Sequence, residues 1–556
     1  MHEPQRITVG HAIAAFLEQC GIKAAFGVIS IHNMPILDAI GERHNIRFVP
    51  ARGEAGATNM ADAYARTTGG LGVCITSTGT AAGNAAGALV EATTAGTPLL
   101  HLTGQIESAF VDRGMSYIHE AQDQLSMLKS VSKAAFRVRS ADTAMRVIRQ
   151  AVQVAMTAPR GPVSVEIPID IQAALVPATP ELAPLPVAPI APCADALDRL
   201  ADLLVQARRP MLWLGGGARG AAGAVKRLRE LGFGVVTSTQ GRGVLPEDDP
   251  GSLGAFNLQA PVEAFYQTCD AMLVVGSRLR GNETLQYRLT LPCNLTRIDV
   301  DPAADGRCYA NTHFVQGDAA LALDGLANRL QGSMRIDEGF LADLRSAREQ
   351  ARATLRDGLG AYGDLVDALE HHMGKRFNWV RDVTVSNSTW GNRYLKVLDP
   401  LAGVHALGGG IGQGLAMGIG AAVGAAVTGS AKKTYCLSGD GGFILNLGEL
   451  ATAVQERADV VFVLMNDRGY GVIKNIQDRQ YGARRHYVDL HTPDYAALAA
   501  SLTLPHVRVS RVDDMEAALK FCAGVTGPCL IEVDMLALGK FKTDFAGPPV
   551  KTADAL

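Results

Sequence analysis

Two oxygen-bearing side chains, 26 positions apart, suggest what chemistry this chain can do. Asp440 sits in Gly439-Asp440-Gly441-Gly442-Phe443, after the apolar run Thr434–Leu437, and Asn466 closes the run Val460–Met465. That spacing predicts strand, helix, strand. It returns Asn466 to the sheet edge that carries Asp440, the edge at which open α/β sheets bind ligands. The glycines let backbone N–H groups approach a phosphate, and a helix N-terminus there favours negative charge. A carboxylate beside a diphosphate would repel it, so the pattern calls for a cation between them. Magnesium suits such a set of oxygen ligands.

The elements that must position these residues extend over 556 residues, too many for one core and suggestive of about three or four domains. From the N-terminus, the pattern predicts a helix over 10–21 and strands at Ala24–Val28, Ile46–Pro50, Gly72–Ile75 and Leu99–Leu102. His32 falls on the loop after the first of these. Glu54 opens an alanine-rich helix after the second, and Gln105 follows the fourth. Strands alternating with helices argue for a doubly wound parallel sheet. Six prolines within residues 177–192 mark a semi-rigid linker. Strands at Met211–Leu214, Gly234–Thr237, Met272–Val275 and Arg297–Val300 make a second α/β unit, and the charged, helical residues 331–365 lead into a third. The expected boundaries are therefore 1–176, 193–330 and 365–556. In the second unit Gly215–Gly220 spells G-x-G-x-x-G, but no acidic residue ends the next strand to hold a ribose. It reads as a plain strand-to-helix turn rather than a nicotinamide site.

Composition excludes several classes. A net charge of −3 gives no electrostatic case for nucleic acid. The nine cysteines show no paired metal-ligand spacing and read as reduced. With no export signal over Met1–Gly10, the expected location is the cytoplasm. Leu407–Ser430 carries no charge and is long enough to span a bilayer, but nine of its residues are glycine, so it reads as a buried loop and helix and no membrane association is expected.

The Gly-Asp-Gly and Asn pattern resembles the thiamine diphosphate (ThDP) enzymes of the acetolactate synthase, pyruvate oxidase and benzoylformate decarboxylase group. The three-unit layout matches their pyrimidine-binding, middle and diphosphate-binding domains. The run Arg52, Glu54, Ala57, Met60, Ala61, Tyr64, Ala65 and Arg66 matches their R-x-E-x-x-A-x-x-M-A-x-x-Y-A-R pattern. The resemblance implies Mg²⁺ held by Asp440, Asn466 and the main-chain carbonyl of Arg468. It also implies Glu54 at the ring nitrogen of the cofactor's aminopyrimidine, where a hydrogen bond in a dry site is worth more than in water. His32 and Gln105 would face the thiazolium. Ser386-Asn387-Ser388-Thr389, expected after a strand Asp382–Val385, resembles the Asn-x-Ser-Thr loop of benzoylformate decarboxylase and makes Ser388 and Thr389 phosphate-binding candidates. In Gly408–Gly412, Gly409 would receive the 4′-amino group and Ile411 would prop the rings in their bent shape. Gly439, Gly441, Gly442, Phe443 and Tyr470 complete the expected cofactor contacts.

The reaction implied is loss of carbon dioxide from a 2-oxo acid, followed either by transfer to an acceptor carbonyl, as in acetolactate synthase, or by release as an aldehyde. Two departures put branched-chain amino-acid biosynthesis in doubt. Ile476 stands where acetolactate synthases carry a tryptophan, and Ser386–Thr389 replaces their Gly-Gln-His-Gln. A simple decarboxylase or a benzaldehyde-lyase-like enzyme therefore stays open, as does FAD in the middle unit beside Gly276-Ser277-Arg278 and Asp299–Pro302. A non-catalytic binding subunit is the reading from another class, and Glu54 with both metal-ligand candidates opposes it. Glu54 and Asp440 lie in different units, and the family completes its site from two subunits. A homodimer or homotetramer is expected, with the bare helices Ala81–Thr93 and Leu415–Val427 as deep core or subunit interface.

Overall fold

The computed structural model describes residues 6–178 and 182–547. The chain forms the three parallel-sheet α/β units that the alternation predicts. The first sheet has six strands in the order Arg47–Pro50, Ala24–Gly27, Gly72–Thr76, Leu99–Gln105, Pro162–Pro168 and Ala134–Arg137. The middle sheet has five: Gly234–Thr237, Pro210–Leu214, Ala271–Val275, Leu295–Asp299 and His313–Gln316. The third has six: Gly403–His405, Phe377–Arg381, Lys433–Gly439, Val460–Asn466, Cys529–Asp534 and His506–Val509. Counted from its own start, each six-stranded sheet runs second, first, third, fourth, sixth, fifth, so the outer units share one topology without a visible sequence repeat. A two-stranded antiparallel pair joins Arg6–Thr8 to Leu175–Pro177. Central strands such as Val460–Asn466 are buried along their whole length, which is why they read as continuous apolar runs.

The first and third units are joined by two helices in close contact, Glu54–Thr68 and Gly414–Val427. Their apolar residues, including Ala57, Met60, Tyr64, Leu415, Ile419 and Val423, belong to one core. Glycine makes this approach possible: a Cβ on Gly420 would lie 2.1 Å from the Met60 carbonyl oxygen. The uncharged stretch is therefore core within a single chain, and among the described residues no helix is long and apolar enough to cross a membrane. The other bare helix, Thr80–Ala95, buries Ala81, Ala85, Leu89 and Ala92 but leaves Gly83, Asn84, Gly87 and Val90 exposed. In the middle unit, Gly215 and Gly217 of the literal G-x-G-x-x-G lie against the backbone of Gly276, so they serve strand-to-loop packing.

Two expectations are corrected. The segment Asp382–Val385 is not a strand. The strand is Phe377–Arg381, and the chain then turns into a short wide helix, Asn387–Gly391. Trp379 fills the strand's core-facing position and bonds the Gly391 carbonyl, which pins the turn beyond it. The nine cysteines are not all free either. Cys522, in the last turn of Asp514–Ala523, is bonded to Cys529, which opens the last strand of the core sheet, with Cα atoms 6.1 Å apart. The helix-to-strand connection brings the two together, a proximity set by the fold and by no cysteine motif.

The glycine contact gives a stability test. Gly420→Ala should destabilise the protein by ~1–3 kcal/mol, because backbone faces the added methyl group. Gly41→Ala, on a helix position with nothing within 4 Å of the new Cβ, should be stabilising by ~0.4–1 kcal/mol. Equal denaturation midpoints for the two variants would contradict the helix packing described.

Candidate active site

In the third sheet Gly439 pairs with Met465, so Asp440 and Asn466 leave adjacent strands at the same level. Glycine at 439 keeps the Thr384 hydroxyl close, 2.8 Å from where a Cβ would stand. Asp440 is fully buried. Its Oδ2 accepts the Gly469 N–H at 2.9 Å and its Oδ1 the Asp467 N–H at 3.3 Å. Burial, then the adjacent Asp467, pushes the Asp440 carboxyl up to about 7, and burial also raises Asp467. Asn466 donates through Nδ2 to Glu532 Oε1 at 2.8 Å, which fixes the amide, and its Oδ1 accepts the Arg468 N–H at 3.2 Å. Arg468 adopts φ 51° in the turn, and its carbonyl accepts the Leu490 N–H at 3.0 Å and, more distantly, the Lys474 ammonium at 3.4 Å. A carboxylate, an amide oxygen and a carbonyl form a hard-oxygen set, the kind Mg²⁺ takes when phosphate oxygens supply the rest.

Beside this set lies a cavity of about 460 Å³ between the third and middle units. Of the sequence-predicted residues, Ser388, Gly409, Ile411, Gly439, Gly441, Gly442 and Tyr470 line it. The tight cradle depends on glycine. A Cβ on Gly441 would meet the Tyr470 ring at 2.7 Å, and one on Gly442 the Asp382 carboxylate at 2.7 Å. Gly409 has φ +83° and open space where a Cβ would point. Ile411 is 37% exposed and stands in the cavity rather than in the core. Thr389 and Phe443 stand elsewhere. The Thr389 hydroxyl donates to the Val385 and Ser386 carbonyls at 2.9 and 3.0 Å, and the Phe443 ring is packed against Phe462 and Tyr495.

Glu54, His32 and Gln105 gather at the C-terminal edge of the first sheet, but no described residue of that unit lines the cavity. Glu54 begins its helix, half-buried, and accepts Asn84 Nδ2 at 3.0 Å. The turn before it is held by Glu449, whose carboxylate accepts the Arg52 and Gly53 N–H groups at 3.0 Å. His32 is buried, its ring 5.1 Å from that of His119, and burial with the neighbouring histidine lowers its pKa. Gln105 is buried in a polar network: Thr78 donates to its Oε1 at 3.2 Å, and its Nε2 faces Glu166 at 3.4 Å.

Sequence reasoning missed two acids that shape the cradle. Asp382 accepts the Gly412 N–H at 2.9 Å and is pushed up to about 6 by burial. Glu91, from the first unit, accepts the Leu407 and Gly408 N–H groups at 2.7 and 2.5 Å. An acid directly after a core strand was the available signal for Asp382. An acid among alanines at 91 was the signal for Glu91.

Comparison with known proteins agrees with this architecture. Residues 7–127 match the N-terminal TPP-binding domain of thiamine pyrophosphate enzymes, 197–326 their central domain and 384–533 their C-terminal TPP-binding domain. The chain is 31% identical over 538 residues to a probable 2-ketoarginine decarboxylase of Pseudomonas aeruginosa, covering 96% of this chain and 95% of that protein. It is 28% identical to acetolactate synthase 2 of Zea mays, covering 93% and 84% of the two chains. It is also 28% identical to the large subunit of acetolactate synthase isozyme 1 of Escherichia coli, covering 95% and 94%. With three domain matches in order and a likeness running through nearly its whole length, the chain belongs to the thiamine pyrophosphate enzymes and is a ThDP-dependent carboligase or decarboxylase.

Proposed function

We propose that the enzyme removes carbon dioxide from a 2-oxo acid and transfers the remaining acyl unit to an acceptor carbonyl, with Mg²⁺ and ThDP bound across two subunits. The observation that carries this reading is the glycine cradle beside Asp440 and Asn466, a cavity with room for a diphosphate and none of the first unit's strand-end residues. When bound, the cofactor supplies an electron sink for the carboxyl group's bonding pair. Asp440, Asn466 and the Arg468 carbonyl would hold Mg²⁺ against the diphosphate, easing the repulsion between the cofactor and the buried acids. The Gly441 and Gly442 amides would bind phosphate oxygens, with Ser388 on the opposite wall. Ile411 would support the rings, and the Gly409 carbonyl would accept from the aminopyrimidine. Glu54 would hold a proton at the pyrimidine nitrogen. Since Glu54 lies outside this chain's own cavity, it would act on a partner's cofactor, with the exposed face of Thr80–Ala95 beside it at the contact. This makes the functional unit a homodimer, or a tetramer of two such dimers.

Release of an aldehyde without transfer is the second reading, favoured by the similarity to a probable decarboxylase. A larger cavity of about 800 Å³, where the three units meet, is lined by Gly276, Arg278, Asp299 and Asp301 and supports FAD or another adenine nucleotide as a further proposal.

Three measurements test the reading. Glu54→Gln should keep ThDP binding and lose roughly 10²–10⁴-fold in turnover, measured as carbon dioxide release from a panel of 2-oxo acids. Full activity would remove Glu54 from the mechanism. Asp440→Ala should lose ThDP affinity in magnesium-supplemented buffer by calorimetry, since metal and diphosphate share one charge balance. Unchanged affinity would contradict that metal site. Mixing the two inactive proteins after dissociation should restore part of the activity, because some mixed dimers hold one intact site. No recovery despite verified subunit exchange would place both residues' action within one chain.

A further inference from the structure

The cavity has a second end, closed by the middle unit, and Arg393 stands in its wall. Its Nη1 donates to the Ser388 carbonyl at 2.9 Å, while its Nε is sealed from solvent with no hydrogen-bond partner among the described residues. Among the described residues no carboxylate lies within ion-pair distance of it. The charged groups near enough to bias it are Arg242 and Glu283. Arg242 is already neutralised by Glu247 through two bonds of 2.7 Å. Glu283 turns Oε1 to the Thr239 N–H at 2.7 Å. The preceding residue, Asn392, offers its carbonyl to Arg242 of the middle unit at 2.8 Å, which sets this part of the wall against that unit. Burial lowers the guanidinium only to about 10, so it is charged at neutral pH. Arg280 adds a second positive charge to this wall and, among the described residues, bonds only neutral groups, the Leu407 carbonyl at 3.1 Å and Asn282 at 3.4 Å. Two cations thus face one carboxylate, with a buried N–H donor left over.

The geometry points to Arg393 as a specificity-determining residue that receives a second anionic group, a carboxylate or similar oxyanion, carried on the tail of the 2-oxo acid. A guanidinium offers a planar fork matched to such a group, and an unpaired one in a sheltered wall gains most from a charged partner. The inference rests on the proposal that this cavity takes a 2-oxo acid, and it adds the substrate class: dianionic acids before those with an apolar or cationic tail.

The test compares 2-oxoglutarate with 2-oxopentanoate, which differ by the distal carboxylate, on the enzyme loaded with ThDP and Mg²⁺. Wild type should favour 2-oxoglutarate in kcat/KM. Arg393→Met should lose about 10–100-fold on it, the range for a hydrogen bond to a charged group, and change less than about 3-fold on 2-oxopentanoate. Arg393→Lys should retain part of the preference. Calorimetry with the unreactive probes glutarate and pentanoate gives the same comparison without turnover. A glutarate preference lost in Arg393→Met upholds the inference even if no 2-oxo acid is decarboxylated, an outcome that would instead count against the proposed reaction. Wild type binding glutarate no tighter than pentanoate would overturn the inference, and so would equal losses on both probes in a variant of unchanged melting temperature. Arg393→Gln supplies the same readout if the methionine variant melts early.

Discussion

A buried guanidinium holds the two cofactor-facing units in register. Arg66 ends the helix that Glu54 begins, and it is bonded to Asp62, to Glu91 at 2.9 Å and to the His405 carbonyl at 2.7 Å. Glu91 passes the constraint on, since its two oxygens take the Leu407 and Gly408 amides. The turn carrying Gly409 and Ile411 is therefore set by charges of the first unit. Such a network is costly to bury and costly to break. Removing one partner from a buried ion pair typically costs ~3–5 kcal/mol, because it strands the other charge. The neighbouring contact between Gly420 and Met60 leaves no slack for the helices to slide. Both constraints act within one chain, so the cradle is held in a fixed setting by the chain's own contacts.

The third unit's cradle was legible in the sequence because local rules determine it. A glycine-rich turn after an apolar run, then an amide one strand–helix–strand unit later, fixes where Asp440 and Asn466 must meet. The same logic found the parallel sheets, whose buried strands read as uninterrupted apolar runs. What depends on contacts between distant segments was not legible. Asp382 was read as the start of a strand, whereas the strand ends at Arg381, just before it. Trp379 and its bond to Gly391 show that the strand ends earlier. Thr389 resembled a phosphate ligand by position, yet its hydroxyl is occupied by its own helix. The Cys522–Cys529 pair joins a helix to a strand, so no local spacing announced it.

The small-residue helices show how one composition can have two structural consequences. Gly414–Val427 and Thr80–Ala95 are similarly bare, and sequence alone treats both as core or interface. Gly414–Val427 is surrounded by its own chain. Thr80–Ala95 is covered on one face only, and its open face bears Asn84, the residue that bonds Glu54. Glycines at 83 and 87 meet nothing within 4 Å in one chain. Glycine in a helix interior lowers helix stability by roughly 0.5–1 kcal/mol relative to alanine. Retaining two on an open face is a cost without return inside the monomer.

The cavity itself is electrically divided. Asp440 and Asp467 crowd one end, where burial makes their negative charges unfavourable and a cation would offset them. Arg393 and Arg280 stand in the wall that the middle unit closes, with Glu283 as the nearby acid. Low-dielectric walls strengthen both fields. Such a division orients an anionic substrate before any chemistry begins: its tail is drawn to the arginines, which leaves the 2-oxo acid group toward the cradle. The middle unit, which contributes nothing to the oxygen set of Asp440 and Asn466, acquires through this arrangement a share in choosing what the cradle acts upon.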